Sequence, residues 1–319
     1  MTLASGSLSV LGAQAQPGLS FTVPVGRSVI IEGEGDVSVT GASELEECDA
    51  ESLEALRRAA SELRGARRIL IVGPSDSGKS TLAAYLYNSG VVNSIISTDV
   101  GQNELYCPAF EALSIPRRPY IPGSMAWDPI ASCFVGDVTP RGLEGRYTLC
   151  AVRLSRQSGS FVVDTDGWVT DEGLELKASL SLALGSDAVV AVGLDEDSLE
   201  VLRADLAGPI VAVPRLAPKA KSAGERRTNR DRLLAGCIMG SSRRVLGLSS
   251  TRLIGRAQGD LRGLVVGVGY AGSEFFGVVE RAAEGKSITV LTRHAGRVDY
   301  LRLGRLRLDL EAFSDLVGR

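Results

Sequence analysis

A chain of 319 residues with 44% apolar and 23% charged residues has the make-up of a globular protein with room for two or three domains, not of a disordered or fibrous one. No run of about 18 apolar residues occurs, so no membrane span is expected, and the start of the chain lacks the basic and apolar regions of a secretory leader. The net charge of −3 is uneven: Arg215 to Arg262 holds 12 Lys and Arg against 3 Asp and Glu, a local +9 that leaves −12 elsewhere and suits a polyanion as well as a solvated surface.

Taken in chain order, residues 1–48 read as a small β-rich domain. Val29-Ile30-Ile31 precede Gly33, Gly35 and Asp36, after which Val37 and Val39 alternate with polar residues. Leu53, Leu56, Ala60 and Leu63 recur at helical spacing, and Gly65 is placed to stop that helix. Ile69-Leu70-Ile71-Val72 is a continuous apolar run ending in a Gly-rich loop, the pattern of a buried parallel strand, and Thr81 to Tyr87 continues as a helix. Further strands are expected at Ser94–Thr98, Ser160–Val163, Ala188–Val192 and Ile210–Val213. Strands alternating with helices predict a parallel α/β sheet over 49–240. From 241 to 319 short runs (Val265-Val266, Phe275–Val279, Ile288–Leu291, Leu306/Leu308/Leu310) between Gly-rich turns predict a second β-rich domain.

Gly73-Pro74-Ser75-Asp76-Ser77-Gly78-Lys79-Ser80 satisfies the GxxxxGK[ST] pattern in full, between a strand and a helix opened by Thr81. Glycines let the backbone wrap phosphates with successive N–H groups inward, and the helix N-terminus adds its dipole. Lys79 is placed to reach the β and γ phosphates, and the Ser80 hydroxyl to hold Mg²⁺. The fold class is therefore α/β: a P-loop parallel sheet flanked by two small β-rich domains.

The loop fixes nucleotide binding, not the reaction. Asp99-Val100-Gly101-Gln102 looks like the DxxG-Gln of a small GTPase, but Thr228-Asn229-Arg230-Asp231 fails the guanine-reading pattern. Only 20 residues separate Lys79 from Asp99, which leaves no room for a switch loop. A carboxylate one strand from the loop can sit beside Mg²⁺ and accept a proton from an attacking hydroxyl, so Asp99 is the candidate general base and metal contact. Asp164, closing Phe161-Val162-Val163, is its rival. The lone His294 lies away from every motif, which removes serine–histidine and cysteine–histidine nucleophiles. The cysteines, Cys48, Cys107, Cys133, Cys150 and Cys237, are scattered and never form a CxxC pair. Neither disulfides nor a zinc site is expected, and a reducing cytoplasm is. Abundant Arg with scarce Asn, Gln and Met fits a heat-adapted source or a GC-rich genome.

These motifs together resemble the polynucleotide 5′-hydroxyl kinase family, whose eukaryotic members include the kinase subunit of the pre-mRNA cleavage machinery and the rRNA-processing kinase; this chain looks like an archaeal-type member. The resemblance runs through the phosphate loop, Thr98-Asp99-Val100-Gly101-Gln102, the Thr139-Pro140 pair, and Thr165-Asp166-Gly167-Trp168, which is similar to a TxGW clasp. It closes on Lys221-Ser222-Ala223-Gly224-Glu225-Arg226-Arg227-Thr228-Asn229-Arg230, similar to an Arg-rich lid within about 215–235. Lys221 stands where Arg is usual, and Asp166 where a small or neutral residue is common.

The resemblance implies transfer of the ATP γ-phosphate to the 5′-hydroxyl of RNA, with DNA a further acceptor, and it is the source of ATP over GTP. Arg226 and Arg230, four apart, would share one helical face and stabilise the transferring phosphoryl group, while Arg227 would point elsewhere, toward the acceptor backbone. Gln102, Thr139, Thr165, Gly167, Trp168 and Lys221 become substrate contacts, with Trp168 stacking on a terminal base. Two other classes stay open: an ATP-bound scaffold subunit of an RNA-processing complex, and a regulatory NTPase switch built on Asp99–Gln102. The sequence identifies no protein partner.

Overall fold

The computed structural model describes residues 1–23, 28–41, 46–47, 49–123, 129–170, 172–216, 221–256, 259–283 and 286–313. Cys48 and residues 217–220 of the lid segment lie outside them. In chain order the elements are β1 (Thr2–Val10), β2 (Ala13–Ala15), β3 (Ile31–Ser38), α1 (Ala50–Glu62), β4 (Arg68–Val72), α2 (Lys79–Asn88), β5 (Ile95–Ser97), β6 (Phe110–Ser114), β7 (Ala131–Phe134), α3 (Glu144–Ser155) and β8 (Phe161–Asp164). They continue as α4 (Glu172–Leu184), β9 (Ala188–Val192), α5 (Glu196–Asp205), β10 (Ile210–Val213), α6 (Ala223–Ile238), β11 (Ser242–Gly247), β12 (Arg252–Ile254), β13 (Leu264–Tyr270), β14 (Ser273–Ala283), β15 (Ser287–Thr292) and β16 (Tyr300–Arg307). None of these helices is long and apolar enough to cross a membrane.

Two compact units are drawn from interleaved segments. Met1–Ile96, Ser114–Ala126 and Ser158–Ala220 form one; Ser97–Leu113, Trp127–Gln157 and Lys221–Arg319 form the other.

In the first unit the strand order β10-β9-β4-β8-β5 places β4 centrally, paired in parallel with β8 and β9. Its residues Ile69 to Val72 are wholly buried, because helices cover a parallel sheet on both faces. α1 packs with α2, and α4 with α5. Asp49 caps α1 by accepting the N–H groups of Glu51 and Ser52, and Gly65, at φ 97°, follows its end. The buried face of α1 centres on Ala55, Leu56, Ala59 and Leu63, a slight rotation from the expected stripe. Ahead of it, β2-β1-β3 make an antiparallel sheet whose inner side chains, Leu3, Leu8, Val10 and Ala15, gather around Ile121.

The second unit holds the antiparallel pair β6–β7 and a sheet ordered β11-β15-β14-β13-β16-β12, antiparallel except for β12 with β16. Of the run Leu306/Leu308/Leu310 only the first lies in a strand; all three pack against the cluster of Phe110, Phe134, Phe276 and Val265.

The cysteine expectation is corrected here. Cys107 is disulfide-bonded to Cys237, and Cys133 to Cys150. The partners are 130 and 17 residues apart, so the fold and not any sequence spacing brings them together.

Glu274, fully buried on β14, anchors this unit electrostatically. It accepts the Phe134 N–H at 2.8 Å, Arg302 Nε at 2.8 Å, the Tyr300 hydroxyl at 3.0 Å and a guanidinium N–H of Arg146. Burial lowers the Arg146 pKa below its ordinary value, with Glu274 opposing that shift. Removing one member of such a set strands the others in a poor solvent. Glu274→Ala should therefore cost about 3–5 kcal/mol of stability, read as a lower urea midpoint. An unchanged midpoint would mean the arginines find other acceptors.

Candidate functional site

The phosphate loop follows β4 at its carboxyl end, the side on which open α/β sheets bind ligands. Gly78 takes φ 101° as the N-cap of α2, a conformation that favours glycine, and Asp76 also sits at positive φ, 56°. A Cβ on Gly73 would lie 2.3 Å from Val192 O and 2.9 Å from Ser77 Oγ, so no larger residue fits that turn. The loop is pinned from β10's end: Leu216 N–H donates to Ser77 O at 2.9 Å, and Arg215 Nη2 to Asp76 O at 2.9 Å.

Lys79, 6% exposed, folds back over the loop, donating to Gly73 O at 2.9 Å and Pro74 O at 2.8 Å. The Ser77 hydroxyl is buried with no hydrogen-bond partner among the described residues. A buried ammonium held only a few ångströms from a wrapped loop, beside an orphaned hydroxyl, is a donor set fit for phosphate. Ser75 is exposed, and Pro74, Ser80 and Thr81 are half-buried.

The clasp belongs to the same unit. Thr165 is fully buried, and its hydroxyl donates to Ile71 O at 2.8 Å, tying the end of β8 to β4. A Cβ on Gly167 would fall 2.2 Å from Ser75 Oγ and 2.5 Å from Ser75 N: the clasp rests directly on the phosphate loop, and only glycine permits it. Asp166 Oδ1 accepts the Trp168 N–H at 2.8 Å, and Asp166 Oδ2 accepts Lys177 Nζ at 2.6 Å. Asp164, the rival carboxylate, pairs across β8–β4 with Ile71.

Asp99, Gln102, Thr139 and the lid from Lys221 onward fall in the second unit. Asp99 Oδ1 accepts the N–H groups of Gly101 and Gln102 at 3.0 and 2.8 Å, so the carboxylate builds its own turn. Gln102 in turn faces α6 with both ends of its amide. Its Nε2 donates to Arg226 O at 2.9 Å, and its Oε1 accepts Asn229 Nδ2 at 2.5 Å. α6 opens on a capping box between Ser222 and Glu225, which explains the serine in the lid motif. Arg226 and Arg230 are half-buried with Asn229 on one face, whereas Arg227 is exposed and pairs at 3.9 Å with Asp231. Arg226 also donates to Lys221 O at 2.6 Å. Thr139 is half-buried, its Oγ1 a long 3.4 Å from the Arg141 N–H. Sequence reasoning gave no role to Asn229, Lys177 or Arg215. Asn229 lies inside the lid motif and Arg215 at the edge of the basic stretch, whereas Lys177 belongs to no motif.

Residues 73–235 match the family described as the P-loop of mRNA cleavage and polyadenylation factor CLP1. Over 153 residues the chain is 29% identical to a polyribonucleotide 5′-hydroxyl kinase of Pyrococcus horikoshii, covering 45% of this chain and 42% of that protein. Over 191 residues it is 32% identical to the polyribonucleotide 5′-hydroxyl kinase Clp1 of Xenopus tropicalis, covering 53% and 42%. Each match spans less than half the length of the relative. A chain of the wild-type Clp1p–Pcf11p (454–563) complex superposes with a TM-score of 0.68 over 96% of this chain and 92% of that one; at 12% identity this is likeness of fold alone. With half of its length inside the family's P-loop region, the chain belongs to the CLP1 P-loop family.

Proposed function

We propose that the chain is an ATP-dependent polynucleotide 5′-hydroxyl kinase that phosphorylates RNA ends. The observation that carries the reading is the hydrogen-bonded chain from Asp99 through Gln102 to the lid positions Arg226 and Asn229. A hydroxyl acceptor needs a carboxylate to take its proton and guanidinium groups to meet the charge of the moving phosphoryl group. A scaffold that merely keeps a nucleotide bound needs neither. In this reading Lys79 and the loop N–H groups hold the phosphates, and Asp99 takes the acceptor's proton. Arg226 and Arg230 stabilise the developing charge, and Trp168 stacks on the terminal base. Ser80 and Asp99 would hold Mg²⁺, which supplies neutralising charge to the phosphate oxygens when bound. The relatives' names, polyribonucleotide 5′-hydroxyl kinase, support the acceptor class. We place the activity in the cytoplasm of a heat-adapted cell, where intracellular disulfides persist.

The test is transfer of label from γ-labelled ATP to a short 5′-hydroxyl RNA and its DNA equivalent, with a 5′-phosphorylated RNA as control. Label on the hydroxyl ends alone is the expected result. Tight ATP binding without label on either acceptor would favour the scaffold, and phosphate release without acceptor the NTPase switch.

Asn229→Ala should lower kcat about tenfold, one hydrogen bond's worth of lid positioning, while ATP affinity by calorimetry stays unchanged. Unaltered kcat would show that the lid is placed by other contacts.

A further inference from the structure

We propose that Lys177 is a positioning residue for the clasp, acting through Asp166 on Trp168 and on the seat of Gly167 against the phosphate loop. The role of Trp168 toward RNA rests on the kinase reading above; the positioning itself does not.

Lys177 lies in the middle of α4 with its side chain at 0% exposure, and the Asp166 side chain is 9% exposed. A lysine so buried is rare unless something holds its charge, and here the holder is Asp166 at 2.6 Å. The other oxygen of that carboxylate accepts the Trp168 N–H at 2.8 Å. One carboxylate thus joins a rigid helix to the clasp backbone. The clasp is fixed on three further sides: Thr165 is tied to Ile71 O, Gly167 is seated on Ser75, and Gly173 is packed against Trp168. A Cβ on Gly173 would lie 2.6 Å from Trp168 O and 2.8 Å from its Cδ1, so α4 approaches the tryptophan with backbone alone.

A buried ion pair of this kind seldom adds stability over an apolar pair of the same volume. Its consequence is directional. With Lys177 absent, Asp166 would lose the ammonium that holds its carboxylate at 2.6 Å, and reorientation of the carboxylate toward water would release the Trp168 N–H. The tryptophan would then lose the fixed backbone from which its ring is presented.

The experiment uses the full chain with the other tryptophan removed by Trp127→Phe, so that Trp168 alone emits. In that background Lys177→Met should raise acrylamide quenching of Trp168 and shift its emission to the red. The KM for 5′-hydroxyl RNA should rise about tenfold, within the range of one base-stacking contact, with kcat little changed. Because Lys177→Met takes the ammonium from a buried carboxylate and can impair folding, the decisive variant is Lys177→Met with Asp166→Asn. That pair carries no buried charge and keeps Oδ1 at position 166 for the Trp168 N–H, so it should recover the wild-type unfolding midpoint together with the wild-type quenching and KM. A folded Lys177→Met with wild-type quenching and KM, or a double variant that recovers the midpoint but not the quenching, would overturn the proposal and leave the ion pair purely structural. If even the unmutated chain phosphorylates no RNA, the kinase reading fails, and the quenching comparison still decides the role of Lys177.

Discussion

Lys79→Met should abolish measurable nucleotide binding by calorimetry and reduce phosphoryl transfer by about 10²–10³-fold, the usual cost of losing one positioned cationic donor at a transferring phosphate. Methionine keeps the length and volume of the lysine stem in a site that is 6% exposed, so packing is nearly conserved and the loss is one of charge. Two loop carbonyls, Gly73 O and Pro74 O, lose their donor at the same time. With nucleotide bound, the ammonium would exchange those carbonyls for phosphate oxygens, a stronger charge-assisted contact. Phosphate binding would then have to displace the two carbonyls from the ammonium. Full binding and transfer by Lys79→Met would mean that residues 73–80 are not the nucleotide site, and would remove the ground for every later step.

How far the sequence reveals this molecule depends on whether each signal is local. Strands β4 and β9 were legible as continuous apolar runs because both faces are buried, β10 as a short apolar run at the sheet's edge, and the loop after β4 because its glycines serve one backbone geometry. Strands β6 and β7 were not. Their sequences, FEALS and ASCF, carry Glu111, Ser114 and Ser132 at buried positions, so neither alternation nor an apolar run appears. Glu274 carries no signal in the sequence, yet it is the acceptor that two arginines and a tyrosine converge on. Lys177 is the same case on a helix. α4 is apolar nearly all round, and a lysine within it signals a buried partner, but which partner depends on a contact 11 residues away that only the fold supplies. The disulfides and the docking of Gln102 on Asn229 are long-range in the same sense. The chemistry was legible where a motif is a single loop, and hidden where it is a meeting of segments.

Asp99→Asn separates charge from architecture more cleanly than any other substitution in the chain. Asparagine retains Oδ1, so the N–H groups of Gly101 and Gln102 keep their acceptor and the turn persists. Gln102 then still meets Arg226 and Asn229, and the lid helix stays where it is. What disappears is the negative charge and the capacity to take a proton. We expect kcat to fall by about 10²–10⁴-fold with the unfolding midpoint unchanged, the range for loss of a general base. Asp164→Asn, made alongside, decides between the two carboxylates. Asp164 ends β8 beside Ile71, in the unit that holds the phosphate loop, whereas Asp99 belongs with the lid. If Asp99 is the base, Asp164→Asn should weaken nucleotide or metal binding more than it lowers kcat at saturating ATP. The reverse pattern, a large kcat loss at Asp164 and a small one at Asp99, would transfer the proton-accepting role to β8. The Asp99 turn would then be a mount for the lid, its carboxylate serving the backbone and not the substrate.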